Sequence, residues 1–105
     1  GSGPHVLRGM EVYKERLIAY SLGNLAGYKN FGTGGNLSLS GILRTTIGGD
    51  GRVLAGRLES LRLDSTAIPH VDRSAGAARL VTSVSRADFG ARGVRVSSGG
   101  TITLP

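Results

Sequence analysis

Apolar positions along the chain come in short patterned stretches separated by glycine-rich punctuation. Residues 6–13, "VLRGMEVY", and 17–22, "LIAYSL", each read as a strand. The polar link Lys14–Arg16 between them predicts a β-hairpin. The second run is apolar for most of its length, which predicts burial on both faces. Gly23-Asn24 ends it with turn chemistry. Residues 26–36, "AGYKNFGTGGN", predict a loop with a mobile tip at Gly32–Gly35, placed where a loop on a rigid scaffold can border a site.

The middle of the chain is the most regular. Leu37, Leu39, Gly41, Leu43, Thr45 and Ile47 share one parity, and Ser38, Ser40, Arg44 and Thr46 the other, which predicts a strand with one face inward. "GGDG" at 48–51 predicts a tight hairpin turn. The returning strand changes phase: Leu54 and Leu58 have one parity, Leu61 and Leu63 the other, so a bulge is expected near Glu59–Ser60. "AIPHVD" reads as an extended linker, held out of helix before Pro69. Ser74 or Asp72 is positioned to cap a helix over about 74–88, with Ala77, Leu80, Val81 and Val84 as its apolar stripe and Gly90 as its stop. "VRVSSGGTITLP" closes the chain as a small hairpin turning at Ser98–Gly100. The fold class is therefore α+β and β-rich: hairpin (1–25), loop (26–36), then long hairpin, one helix and small hairpin (37–105).

Composition changes this picture in two ways. The chain has 105 residues, enough for one small domain, yet 18 are glycine, two are phenylalanine and none is tryptophan. That leaves little aromatic volume for a core and suggests a portion of a larger protein. The net charge is +6, spread over single arginines with no interleaved aromatic ladder. This argues against a nucleic-acid footprint and leaves a solvated basic surface or attraction to an acidic polymer. Without cysteine there is no disulfide and no thiolate metal site. No apolar run reaches the length of a membrane span, and the first residues lack the pattern of a signal peptide.

Candidate chemistry is sparse. The histidines are His5 and His70, and the seven carboxylates show no paired-ligand spacing. There is no Gly-x-Ser-x-Gly elbow, and "GTGGN" lacks the lysine of a phosphate loop. Read alone, His5 is either a surface histidine or one ligand of an incomplete site; His70 is a linker residue, and Asn24 a strand stop.

The block "GSGPHVLRGMEVYKERLIAYSLGNL" resembles the C-terminal motifs of bacterial capsule-biosynthesis proteins of the CapA/PgsA type, linked to poly-γ-glutamate synthesis and to the calcineurin-like metallophosphoesterases. The family pattern runs Gly-His-x-Pro-His-Val, a strand, Tyr-Lys-Gly-Arg, then Ile-x-Tyr-Ser-Leu-Gly-Asn-Phe. The resemblance covers about a quarter of the chain. It implies that His5 faces a di-metal centre of Mn, Fe or Zn, a role suited to a neutral imidazole. It further implies that Gly3 and Pro4 shape the backbone around His5, and that Gly23 presents Asn24 as a hydrogen-bonding group near the cleft, or as a structural cap. The departures are Ser2 for the first histidine (a substitution or, as favoured here, a cloning remnant), Glu15 for glycine and Leu25 for phenylalanine. The family's N-terminal metal motifs are absent from these residues.

The expectation is thus the C-terminal part of a metallophosphatase-like α/β sandwich whose metals, divalent in the full-length parent, are not held by this chain alone. The parent would act in biosynthesis, export or anchoring of an anionic capsule polymer at the cell envelope, its signal or anchor lying outside this chain. The partners expected are the parent's N-terminal part, the polymer, and a second copy paired through strand edges. The alternative is a stand-alone, non-enzymatic basic β module that binds an acidic polymer or nucleic acid.

Overall fold

A computed structural model describes residues 1–27 and 31–105. Its elements are strands β1 (Met10–Tyr13), β2 (Arg16–Ala19), β3 (Leu39–Ile47), β4 (Val53–Leu63) and β5 (Pro69–Val71), helix α1 (Gly76–Phe89), and strands β6 (Arg95–Val96) and β7 (Ile102–Thr103). They form three antiparallel sheets, β1-β2, β3-β4-β5 and β6-β7, with one helix, so the class is α+β and strand-rich.

The first hairpin turns on Lys14 and Glu15, between the paired residues Tyr13 and Arg16. Both turn residues have positive φ, 48° and 65°, as a two-residue turn matched to strand twist requires. Glycine stands at the Glu15 position in the similar family pattern, and this backbone is the reason it suits. The regular pairing is shorter than the apolar pattern implied, but a Leu7–Leu22 bridge and the bond from Arg8 N–H to the Ser21 carbonyl extend the ribbon. Nor is β2 buried on both faces: its residues are half-buried or exposed, and Tyr20 is 44% exposed. Leu17, Ile18 and Ala19 alternate between the two faces of the ribbon, and neither face of β2 is fully covered.

The β3–β4 ribbon turns within 48–51 as the glycines require, with Gly51 at φ 85°. Leu39, Gly41 and Leu43 face inward as their parity predicts, whereas Ile47 at the ribbon end is 61% exposed. The expected bulge near Glu59–Ser60 is absent. Pairing runs in register from Leu39–Arg62 to Thr46–Ala55, and the irregularity falls between Thr46 and Ile47. The phase change of the leucines has another cause. Leu58 points to the main core, while Leu61 and Leu63 occupy the opposite face, which is also covered at that end of the sheet.

The predicted linker "AIPHVD" contains β5, which pairs with β4 through Leu61–Val71, Arg62–His70 and Leu63–Pro69. All three β5 residues are exposed, so no alternation marks it as a strand. Helix α1 begins two residues later than expected. Ala75 occupies the cap position with left-handed backbone, and Ser74 does not cap. Asp72 instead accepts the Gly76 N–H at 3.1 Å while its other oxygen accepts the Ser74 N–H and hydroxyl. Gly90 ends the helix with φ 55°, its N–H on the Arg86 carbonyl.

Of the expected stripe, Ala77 and Val81 are buried and Leu80 and Val84 half-buried; Gly76, Ala78 and Ser85 complete the buried side of α1. Ser85 belongs to it because its Oγ accepts the Met10 N–H at 2.8 Å. Leu7, Met10, Leu39, Leu58, Val81, Val94 and Ile102 pack in one cluster, so the first hairpin shares the core of the later elements. The last hairpin turns at Ser97–Thr101, as predicted, with Gly100 at φ 93°.

Candidate functional site

The residues singled out near the start of the chain converge. Gly3 has φ 142°, and His5 itself sits in the left-handed region at φ 60°. A non-glycine residue in that region costs about 1–3 kcal/mol and persists where surrounding contacts enforce it. Here the enforcing contact is Asn24, whose Oδ1 lies 2.7 Å from His5 Nδ1. Asn24 is delivered by Gly23, at φ 75°; a Cβ at Gly23 would lie 2.9 Å from the Leu39 carbonyl oxygen. Glycine is therefore required twice over at this position.

The Asn24 side chain is buried, 5% exposed. Its Nδ2 donates to the carbonyls of Gly32 and Leu37, both at 3.5 Å. With the amide nitrogen committed to two carbonyls, Oδ1 is the atom left to accept from the imidazole. His5 Nδ1 then carries the proton, and Nε2 carries the lone pair. This is the arrangement in which a carbonyl-type acceptor holds one ring nitrogen and leaves the other free to ligate or to accept a proton. Phe31 flanks the ring, centroid to centroid 6.0 Å at an interplanar angle of 44°.

His5, Asn24 and Phe31 border a cleft of about 310 Å³ that Ser2, Gly3 and Gly23 also line. Ser2, the position of the first histidine in the similar pattern, thus faces the same cleft as His5. Pro4 begins the bend that carries His5. The 26–36 loop contributes Phe31 and the Gly32 carbonyl, and the Leu37 carbonyl follows just after it; residues 28–30 lie outside the described residues, and Gly35–Ser38 forms a single 3-10 turn. Among the described residues, no three His, Cys, Asp or Glu side chains converge as a metal-binding group.

His70 is elsewhere, exposed on β5, with Nε2 2.8 Å from Asp64 Oδ2. Asp64 also accepts from the Thr66 hydroxyl and from the Thr66 and Ile68 N–H groups. These bonds, the Thr66 hydroxyl first and His70 next, hold its carboxyl far below the usual carboxylate range. The group closes the β4–β5 turn and has the character of a structural knot.

A polar cluster not marked in the sequence joins the first hairpin to the end of α1. Glu11, 5% exposed, accepts from Arg92 Nε and from the Tyr20 hydroxyl, each at 2.8 Å. The Arg92 hydrogen bond, followed by that from Tyr20, lowers the Glu11 carboxyl below its ordinary value, and the same carboxylate raises the Tyr20 phenol. Tyr20 in turn stacks on Phe89, centroids 5.2 Å apart. Glu11 and Arg92 are 81 residues apart, a separation that no local pattern can reveal.

Among the described residues, no helix is long and apolar enough to cross a membrane. No curated protein matches the chain in a sequence search. A family model described as "Bacterial capsule synthesis protein PGA_cap" matches residues 1–29, the stretch that carries His5, Gly23 and Asn24, and over those residues the chain is similar to bacterial capsule synthesis proteins.

Proposed function

We propose that the chain serves in bacterial capsule synthesis as part of a CapA-type protein, and that its first 25 residues supply one wall of a metallophosphatase-like cleft. The observation that carries this reading is the His5–Asn24 pair, which lies inside the matched segment and leaves Nε2 of an exposed imidazole as a lone-pair donor. A divalent ion of the Mn, Fe or Zn kind would take His5 as one ligand; when bound, such an ion supplies Lewis acidity toward an oxyanion. His5 would fill one coordination position, and among the described residues no three ligand-type side chains gather. The remaining ligands belong to the N-terminal part of the parent, and this chain alone binds metal weakly. What the chain itself contributes is orientation: Asn24 selects the tautomer, Gly23 places Asn24, and Gly3 with Pro4 turns the ring into the cleft.

The polymer served by the parent is an anionic one such as poly-γ-glutamate, and the place of work is the cell envelope.

Zn²⁺ titration of the chain, followed by the imidazole nitrogens in NMR spectra, tests the site. The expected result is perturbation of His5 Nε2, abolished in His5→Ala and unchanged in His70→Ala. Asn24→Ala should weaken binding by about 10–100-fold, as loss of an outer hydrogen bond does at metal-ligating histidines. Ser2→His should tighten it by adding a second imidazole to the cleft. Binding that is indifferent to His5→Ala would remove the histidine from any metal site.

A second reading rests on a different observation. Arg44 and Arg57 are direct cross-strand partners on the β3–β4 ribbon, and like charges so placed repel. That placement favours a basic module that binds an acidic polymer. Titration with poly-γ-glutamate and with DNA over a salt series separates the two: binding lost in Arg44→Gln supports the module, and a steep salt slope on DNA would assign nucleic acid.

A further inference from the structure

A cavity of about 550 Å³ lies away from the His5 cleft, between the C-terminal half of α1 and the β6–β7 hairpin. One wall comes from the helix: Thr82 and Arg86, four residues apart, share one side of α1, and Gly90 lies just past its end. The Thr82 hydroxyl accepts the Val96 N–H at 2.8 Å and so docks this side against the free edge of β6. The other wall comes from the hairpin. Arg95 and Thr103 are cross-strand partners, and so are Val96 and Ile102. Because Val96 and Ile102 fill the core, Arg95 and Thr103 project together from the opposite face.

Two guanidiniums from separate elements therefore border one cavity. Neither Arg86 nor Arg95 takes part in an ion pair among the described residues, and no carboxylate side chain lines the cavity. The contrast with Arg92, only a few residues away, is direct: Arg92 is bound to Glu11. Ala91 and Leu104 add apolar surface beside the charged groups. A concave site with an apolar wall and a few convergent polar groups is the usual form of a small-molecule site. Guanidinium forks match the planar oxygens of carboxylate and phosphate.

We propose that this cavity binds a small organic anion, its oxyanion group between Arg86 and Arg95 and its apolar body against Ala91 and Leu104. Thr103 supplies a hydroxyl donor to the same group. The proposal does not depend on the metal reading of the His5 cleft, which uses none of these residues.

The test is a set of NMR titrations of the 105-residue chain with four probes: phenyl phosphate, benzoate, inorganic phosphate and benzyl alcohol. Saturable shifts of the Arg95 and Thr103 amides with phenyl phosphate or benzoate support the proposal, and whichever binds tighter names the headgroup. Arg86→Gln and Arg95→Gln should each weaken that binding by about tenfold or more, the worth of a charge-assisted bond, with Arg44→Gln unchanged. Both arginines are exposed and unpaired, so folding is expected to survive, and the amide spectrum verifies it. No localised shift at millimolar probe overturns the proposal. So does equal weakening by Arg44→Gln, which would mean diffuse attraction to a basic protein. Equal affinity for inorganic phosphate would refute the apolar contact, and equal affinity for benzyl alcohol would refute the anionic one.

Discussion

The first 25 residues and the β4–α1 body are held by different means. The body is regular: β3 and β4 pair in continuous register from Leu39 to Thr46, and α1 presents Ala77, Ala78 and Val81 to Leu58 and Val94. Its stability is a matter of apolar burial, worth about 1.5–3 kcal/mol for each fully buried large side chain. The first segment is small, half-exposed and bent through positive φ at Gly3, His5, Lys14, Glu15 and Gly23. It keeps that shape through three anchors: Leu7 and Met10 in the shared core, the Glu11–Arg92–Tyr20 cluster, and the bonds of Asn24. Strained backbone gathers where a side chain must be aimed, and the regular body is what holds the strain in place.

The largest expected effect strikes the body. Leu58 is fully buried at the centre of the core, and Leu58→Ala should cost about 2–5 kcal/mol in urea unfolding. Since the hairpin leans on the same core, the His5–Asn24 geometry should be lost in the same transition. A His5 imidazole signal that outlived the unfolding of α1 would break the comparison by making the hairpin independent.

Gly23→Ala sharpens it from the other side. The added Cβ meets the Leu39 carbonyl at 2.9 Å in a left-handed backbone, so a loss of about 1–3 kcal/mol is expected. The His5 tautomer should become mixed while the α1 amides keep their protection. Unchanged stability would show that Gly23 is not a constrained position.

The polar anchor has a pH signature. Arg92, and after it Tyr20, lowers the Glu11 carboxyl relative to the unfolded chain. The stabilisation is therefore complete above the unfolded carboxylate value, about 4.3, and disappears as pH falls through the lower folded value. Asp64 and Asp72 are lowered too, Asp72 chiefly by the Ser74 hydroxyl, and add to the same acid loss. Urea midpoints measured from pH 7 to pH 3 should fall on the acid side, and less so in Glu11→Gln. An identical acid slope in the variant would mean that Glu11 keeps its ordinary value.

The smallest effect concerns the hairpin turn. Lys14→Asn combined with Glu15→Gly installs the residues that positive φ favours and gives up the exposed Glu15–Arg52 pair and the Lys14 ammonium over the Tyr13 ring. A gain of about 0.5–1 kcal/mol is expected in thermal or urea unfolding. A loss would show that these two side-chain contacts outweigh the backbone strain.

Much of the fold was legible because it is local. The three hairpins follow from turn residues next to alternating or apolar runs, and Gly90 ends α1 as glycine does. What escaped depends on distant partners. β5 is a strand because the edge of β4 offers it hydrogen bonds, and its exposed side chains carry no period. The leucine phase change suggested a bulge because one covered face was assumed, whereas that end of the sheet is covered on both. Ser85 joins the buried side of α1 through the Met10 N–H, so counting apolar residues missed it. Of the cleft, the motif pointed to His5 and Asn24 separately; the bond between them, and the tautomer it selects, came from the fold.

The amino-acid sequence by itself determined the α+β class, the order of the hairpins and the positions where glycine must stand, because turns and short-range periodicity are set by steric limits within a few residues. Tertiary structure alone decided that His5 meets Asn24, that Glu11 meets Arg92, and that Arg86 and Arg95 border one cavity. Each of these juxtapositions joins segments whose approach is governed by packing of the shared core, and no local rule carries that information.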